Sequence, residues 1–262
     1  MFSGDYNFFD YKYNIIGYEG QDYGGFPQYL YLILSFLLIF ILLLNLKNIK
    51  KDKVLKIIRI TSIFLIVFYI VKTTWETVYD VRLSGSFNYG LLPLDSCSII
   101  MLAGILSGFS NGKIRDYANS WLVTGAVVGG LATMLYLNAF KFYPFLSFGA
   151  FYSMIWHMLM VFLGLLLVVT NYVNMDYKIV IKGFIFHLII SVFVIIIDFI
   201  YDFDFMMYKN LGGIPVFENI ANKFNSLGLP FLNPIMMLLL YFIAFNIIYL
   251  LCLGVKKVFK KH

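Results

Sequence analysis

Cys97 closes the stretch Leu91-Leu92-Pro93-Leu94-Asp95-Ser96-Cys97, so a thiol, a hydroxyl and a carboxylate sit together at the opening of an apolar run. A thiol beside an imidazole can ionise to a thiolate–imidazolium pair and attack an acyl carbon. The imidazole then returns the proton to the leaving group, and a carboxylate can hold the ring in the orientation this needs. His157 and His187 are the two histidines inside apolar stretches, and the third, His262, ends the chain. Asp95, Glu76 and Asp198 are the carboxylates set in comparable surroundings. A cysteine in an apolar run is more often a small packing residue than a nucleophile, so its neighbours must decide.

Those neighbours fall at helical spacing. Lys72 and Glu76 are i,i+4, with Trp75 and Tyr79 beside them. Ser153 and His157 are i,i+4, and His187, Ser191 and Asp198 follow i, i+4, i+11, a single helical stripe. Ionisable groups in membrane helices face the bundle interior or a watery cavity. Lys72, Glu76, Ser153, His187, Ser191 and Asp198 are therefore candidate substrate-binding residues around a catalytic set of Cys97, His157 and Asp95. The histidines have no paired ligand spacing, and the chain has no phosphate-binding glycine loop, Gly-x-Ser-x-Gly elbow or zincin motif. No metal and no cofactor is expected.

The elements that position these groups are long and apolar. Of 262 residues, 61% are hydrophobic and 13% charged, about half the charge of a typical soluble domain. Seven apolar stretches, near 29–46, 57–79, 91–109, 118–138, 148–171, 179–200 and 234–255, predict an all-α, polytopic membrane bundle of about seven transmembrane helices. The division is an aromatic N-terminal segment over 1–28, a transmembrane domain over 29–255 and a basic tail over 256–262. Residues 1–28 lack the basic-then-apolar pattern of a signal peptide. Gly125 and Gly129 permit close helix approach.

The net charge of +6 is a topology signal rather than a nucleic-acid footprint. With the N-terminus outside, the cytoplasmic segments hold fourteen Lys and Arg against five outside, and three acids against eight. The C-terminus is then cytoplasmic. Cys97 comes to lie about 9 Å below the outer end of the third span and His157 roughly 14 Å below that of the fifth. Lys72, Glu76 and Asp198 fall in outer halves too, so polar groups of several helices are expected to meet in one outward-facing pocket. Membrane lipids are the expected partners; the sequence does not specify an oligomeric state. Abundant Ile, Lys, Asn, Tyr and Phe suggest an AT-rich bacterial genome, and hence a cell-membrane location.

Leu92-Pro93-Leu94-Asp95-Ser96-Cys97 resembles the Leu-Pro-Leu-His-x-Cys signature of the YwaF-like integral membrane proteins, a family that includes eukaryotic transmembrane protein 164. His157 occupies the place of the family's fifth-span histidine. Asp204-Phe205-Met206-Met207-Tyr208 is similar to its Asn-Tyr-Met-containing loop, and Leu229-Pro230 to a later proline segment. The resemblance implies a multi-span fold and, from the eukaryotic branch, phospholipid acyl transfer with Cys97 as acyl-accepting nucleophile and His157 as its acid–base partner. Asp95 stands where the family has histidine, and Asp204 where the loop has asparagine, which leaves His157 or His187 as the base. A transporter or binding protein for a small solute or lipid is the alternative, with Lys72, Glu76, His187 and Asp198 as its path.

Overall fold

The structure, a computed structural model, describes residues 7–10, 26–85, 88–136, 143–144, 146–211 and 215–260. Most of the expected 1–28 segment, the Gly212-Gly213 pair, Lys261 and His262 lie outside the described residues. The described residues form a helical bundle with no strand. Its helices are α1 (Phe26–Leu46), α2 (Lys51–Ser84), α3 (Ile99–Phe109), α4 (Gly112–Trp121), α5 (Val127–Leu135), α6 (Phe148–Val169), α7 (Lys178–Tyr201), α8 (Pro215–Ser226) and α9 (Leu232–Lys260). A π-helical turn, Leu122–Ala126, joins α4 to α5 within one continuous span. Six helical segments among the described residues are long and apolar enough to cross a membrane.

The expected third span, 91–109, is the exception. Only α3, eleven residues and about 16 Å long, is α-helical. Tyr89–Leu91 is a 3-10 turn, and residues 92–98 are bends and turns. Pro93 accounts for the break: it disfavours helical geometry in the preceding residue, and Leu92 is extended at φ −65°, ψ 146°. The tight bond from Leu94 N–H to Leu92 C=O (2.8 Å) and the turn closed by Ser98 N–H on Asp95 C=O (2.9 Å) follow. This piece runs antiparallel to α2. Tyr69 donates to the Leu91 carbonyl, and Arg59 Nε donates to the Gly108 carbonyl at 2.7 Å. The expected third span is thus an irregular half followed by a short helical half, too short to count among those six.

In the other direction α2 is longer than expected. It passes the expected 57–79 at both ends, running from Lys51 through Trp75, Glu76 and Tyr79 to Ser84. Gly85 stops it, with φ 72° and its N–H on the Val81 carbonyl at 2.9 Å, a left-handed cap that suits glycine. The long loop expected over 201–233 contains the amphipathic helix α8. In the same loop Lys209 pairs with Asp202 and holds that exposed carboxyl below the usual carboxylate range.

Close approaches set the bundle's centre. A Cβ on Gly130 would lie 2.8 Å from the His157 carbonyl, and one on Gly164 would lie 2.4 Å from the Leu122 carbonyl. These glycines bring α5 and the π turn against α6, whose middle is buried on nearly every side. The start of α2, the end of α3 and the start of α4, with Lys47 to Arg59, Lys113 and Arg115, share one end of the bundle with Lys182, which pairs with Asp116. The end of α2, the 91–98 turn and the start of α6 make the other end. The N-terminal fragment 7–10 docks there: Phe9 C=O accepts from Trp75 Nε1 (2.9 Å) and Tyr79 (3.0 Å), and Phe148 N–H donates to Phe8 C=O at 2.6 Å.

Candidate functional site

The irregular half of the third crossing lines a cavity of about 160 Å³. Cys97 and Asp95 from the turn, Lys72 from α2, and Ser153 and His157 from α6 all face it. Non-helical backbone in an apolar surrounding needs partners for its polar groups; here Leu92 and Pro93 are exposed, Leu91 and residues 94–97 half-buried and Ser98 buried, and the turn lines the cavity. The turn's carbonyls are met by aromatic donors from two helices: Tyr69 holds Leu91, and Trp156 Nε1 holds the Cys97 carbonyl at 3.3 Å. Cys97 is therefore anchored through its own peptide group, two residues before α3 begins. The sequence places it in the second turn of a helix; it precedes the helix instead.

The N-cap of α6 sets the opposite wall. Ser147 Oγ accepts the Ala150 N–H at 3.4 Å, which fixes where the helix starts. Tyr152, Ser153, Trp156 and His157 then share one face, at i, i+1, i+4 and i+5. His157 Nδ1 lies 2.6 Å from the Ser153 carbonyl. A carbonyl only accepts, so Nδ1 carries the ring proton, and neutral His157 presents the lone pair of Nε2. That is the tautomer a general base needs.

Glu76 does not line the cavity. It is 1% exposed and stands behind Lys72, pairing with its ammonium while Tyr143 donates to its other oxygen. The Lys72 ammonium sits 5.6 Å from the centre of the Tyr152 ring, a cation–π distance.

The His187–Ser191–Asp198 stripe is a separate cluster, so the expected meeting of all the polar groups is divided in two. All three are buried on α7, but their stripe faces the π-turn span, the 203–208 loop and α9. Trp121 Nε1 donates to His187 Nδ1 at 3.4 Å, and the Tyr241 ring packs on the imidazole at 4.3 Å. Tyr208 donates to Ser191 Oγ at 2.5 Å, and Ser191 to the His187 carbonyl at 2.8 Å. Burial raises the Tyr208 phenol above its usual range, so it stays a donor. Asp198 Oδ1 accepts the Phe205 N–H at 3.1 Å; its Oδ2 and His187 Nε2 have no hydrogen-bond partner.

Tyr69, Tyr143 and Tyr152 are the site residues that sequence reasoning passed over. Tyr152 and Trp156 carry a signal, an aromatic i,i+4 pair flanking the Ser153–His157 pair. Tyr69 and Tyr143 carry none. In the similar-loop region, Asp204 accepts the N–H groups of Lys209 (2.8 Å) and Asn210 (3.2 Å), a loop-shaping role away from the cavity.

Six helical segments among the described residues, long and apolar enough to cross a membrane and packed into one bundle, make this a multi-pass helical membrane protein. The family model described as the TMEM164 family matches residues 23–255, and the chain belongs to that family. No curated protein and no solved structure matches it.

Proposed function

We propose that this protein transfers an acyl chain between membrane lipids through a thioester on Cys97. The observation that carries the reading is the shared cavity: the Cys97 thiol, a histidine with a free Nε2 and a carboxylate face one small space inside the bundle. His157 Nε2 takes the thiol proton, and the thiolate forms a C–S bond to a lipid ester carbonyl carbon. The carbonyl π pair moves to oxygen and returns, the ester C–O bond breaks, and the departing alkoxide takes the proton back from His157. A lysolipid leaves. A second lipid hydroxyl, deprotonated by His157, then attacks the thioester and releases Cys97. Asp95 and Ser153 bound the space in which the ester group sits. A cavity of about 160 Å³ admits only the reacting end of a phospholipid; larger ligand pockets run to roughly 300–1,000 Å³. The acyl tail stays in the bilayer.

The basic end lies in the cytoplasm of this reading and the cavity toward the outer leaflet of the cell membrane, because loop Lys and Arg favour the cytoplasmic side. The test is the full-length protein in vesicles of phosphatidylethanolamine and phosphatidylglycerol with a radiolabelled acyl chain. Hydroxylamine-labile label on Cys97 is expected, and its loss in Cys97→Ser. An unlabelled parent protein overturns the proposal.

A second reading rests on the other cluster. Two buried polar atoms without partners, Asp198 Oδ2 and His187 Nε2, suit a proton or solute path along α7. Proton-coupled uptake into proteoliposomes, lost in Asp198→Asn, would support it.

A further inference from the structure

The acyl-transfer reading leaves one need unmet: something must hold the negative oxygen that forms when the thiolate adds to the carbonyl. Such stabilisation usually comes from backbone N–H groups next to the nucleophile. Here three of the amides that follow Cys97 are already used. Ser98 N–H donates to Asp95 C=O (2.9 Å), Ile100 N–H to Cys97 C=O (3.5 Å) and Met101 N–H to Ser98 C=O (3.1 Å). Three of the four amides that follow Cys97 therefore serve the turn itself.

Lys72 supplies what the backbone lacks. It lines the same cavity as Cys97 and His157. Its ammonium has three donors and is ion-paired with Glu76. Glu76 is itself fixed from the far side by Tyr143 and closed off from solvent. The Tyr152 ring flanks the ammonium on another side. A lysine held this way loses the mobility that makes exposed lysines poor catalytic groups, and its side chain lines the same small cavity as the Cys97 and His157 side chains.

Resting on the acyl-transfer reading, we infer that Lys72 is a further catalytic residue, donating to the oxyanion of the lipid ester during addition of Cys97, and that Glu76 is its positioning residue. The ammonium neutralises the oxyanion without giving up its proton, so when the carbonyl re-forms the electron pair returns to carbon and Lys72 is unchanged. Each half of the transfer passes through such an oxyanion, and Lys72 serves both.

The experiment follows acylation of Cys97 over time in the labelled vesicles, comparing the parent with Lys72→Met, Lys72→Arg, Glu76→Gln and the Lys72→Met/Glu76→Gln pair. Alkylation of Cys97 by a small maleimide in each variant reports that the cavity is folded and open. Lys72→Met is expected to slow acylation about 10²–10³-fold with maleimide labelling intact, and Lys72→Arg to restore part of the rate. Glu76→Gln slows the parent but adds nothing in the Lys72→Met background, because it acts only through that lysine. Acylation of Lys72→Met at the parent's rate overturns this inference and leaves the Cys97 reading standing. Absence of label on the parent overturns both.

Discussion

His157 and His187 carry their ring protons on opposite nitrogens. His157 donates from Nδ1 to the Ser153 carbonyl, whereas His187 Nδ1 accepts from the Trp121 indole, which can only donate. Neutral His157 therefore offers Nε2 as a base toward the Cys97 cavity. Neutral His187 holds a proton on a buried Nε2 that has no acceptor. Two histidines on consecutive helices, α6 and α7, thus have opposite chemical capacities, and only the first suits proton abstraction.

Replacing the base should follow from that assignment. His157→Ala is expected to slow Cys97 acylation by about 10²–10⁴-fold, the usual range for loss of a positioned acid–base group. The decisive comparison is His187→Ala in the same vesicle assay, where acylation should stay near the parent's. Equal losses in both variants would contradict the division of the two clusters.

His187 yields a stability expectation too. Its Nε2–H is buried unpaired, and an unmade buried donor costs roughly 1–3 kcal/mol. His187→Phe removes that donor but also takes the acceptor from the buried Trp121 N–H, so the pair His187→Phe/Trp121→Phe, which removes both donors, should unfold in detergent at the parent's temperature or above. A fall of several degrees would mean that Nε2 has a partner in the membrane, which would favour the path reading.

Trp156→Phe probes the anchor of the turn. The substitution keeps ring packing and deletes the N–H that meets the Cys97 carbonyl. That carbonyl then keeps only the long Ile100 N–H bond (3.5 Å), and the lost hydrogen bond should cost about 0.5–1.5 kcal/mol. Faster maleimide modification of Cys97, as the turn loosens, is the measurement.

Gly130→Ala tests the close approach behind His157. Its new methyl would stand 2.8 Å from the His157 carbonyl and 2.7 Å from Val161 Cγ2. Overpacking of this kind costs about 1–3 kcal/mol. A lower unfolding temperature is expected, with a greater loss of acylation than of folded protein, because the strain falls on the segment that sets the His157 ring.

Much was determined by the sequence alone. Apolar runs of bilayer length, basic residues grouped at alternate boundaries and the stripes 153–157 and 187–191–198 are local, periodic properties, and the helices and their buried faces follow from them. The family likeness carried by Leu92 to Cys97 agrees with the family to which the chain belongs. The tertiary structure alone decided what those faces meet. Periodicity says that His157 and His187 point inward, but inward has several sides; the approach of α5 at Gly130 and of the π turn at Gly164 sends one to the Cys97 cavity and the other to Trp121 and Tyr241. The opening turn of the third crossing was hidden for a related reason. Residues 91–98 are apolar enough to read as helix, and the break at Pro93 is stable because Tyr69 and Trp156, distant in sequence, satisfy the carbonyls it frees.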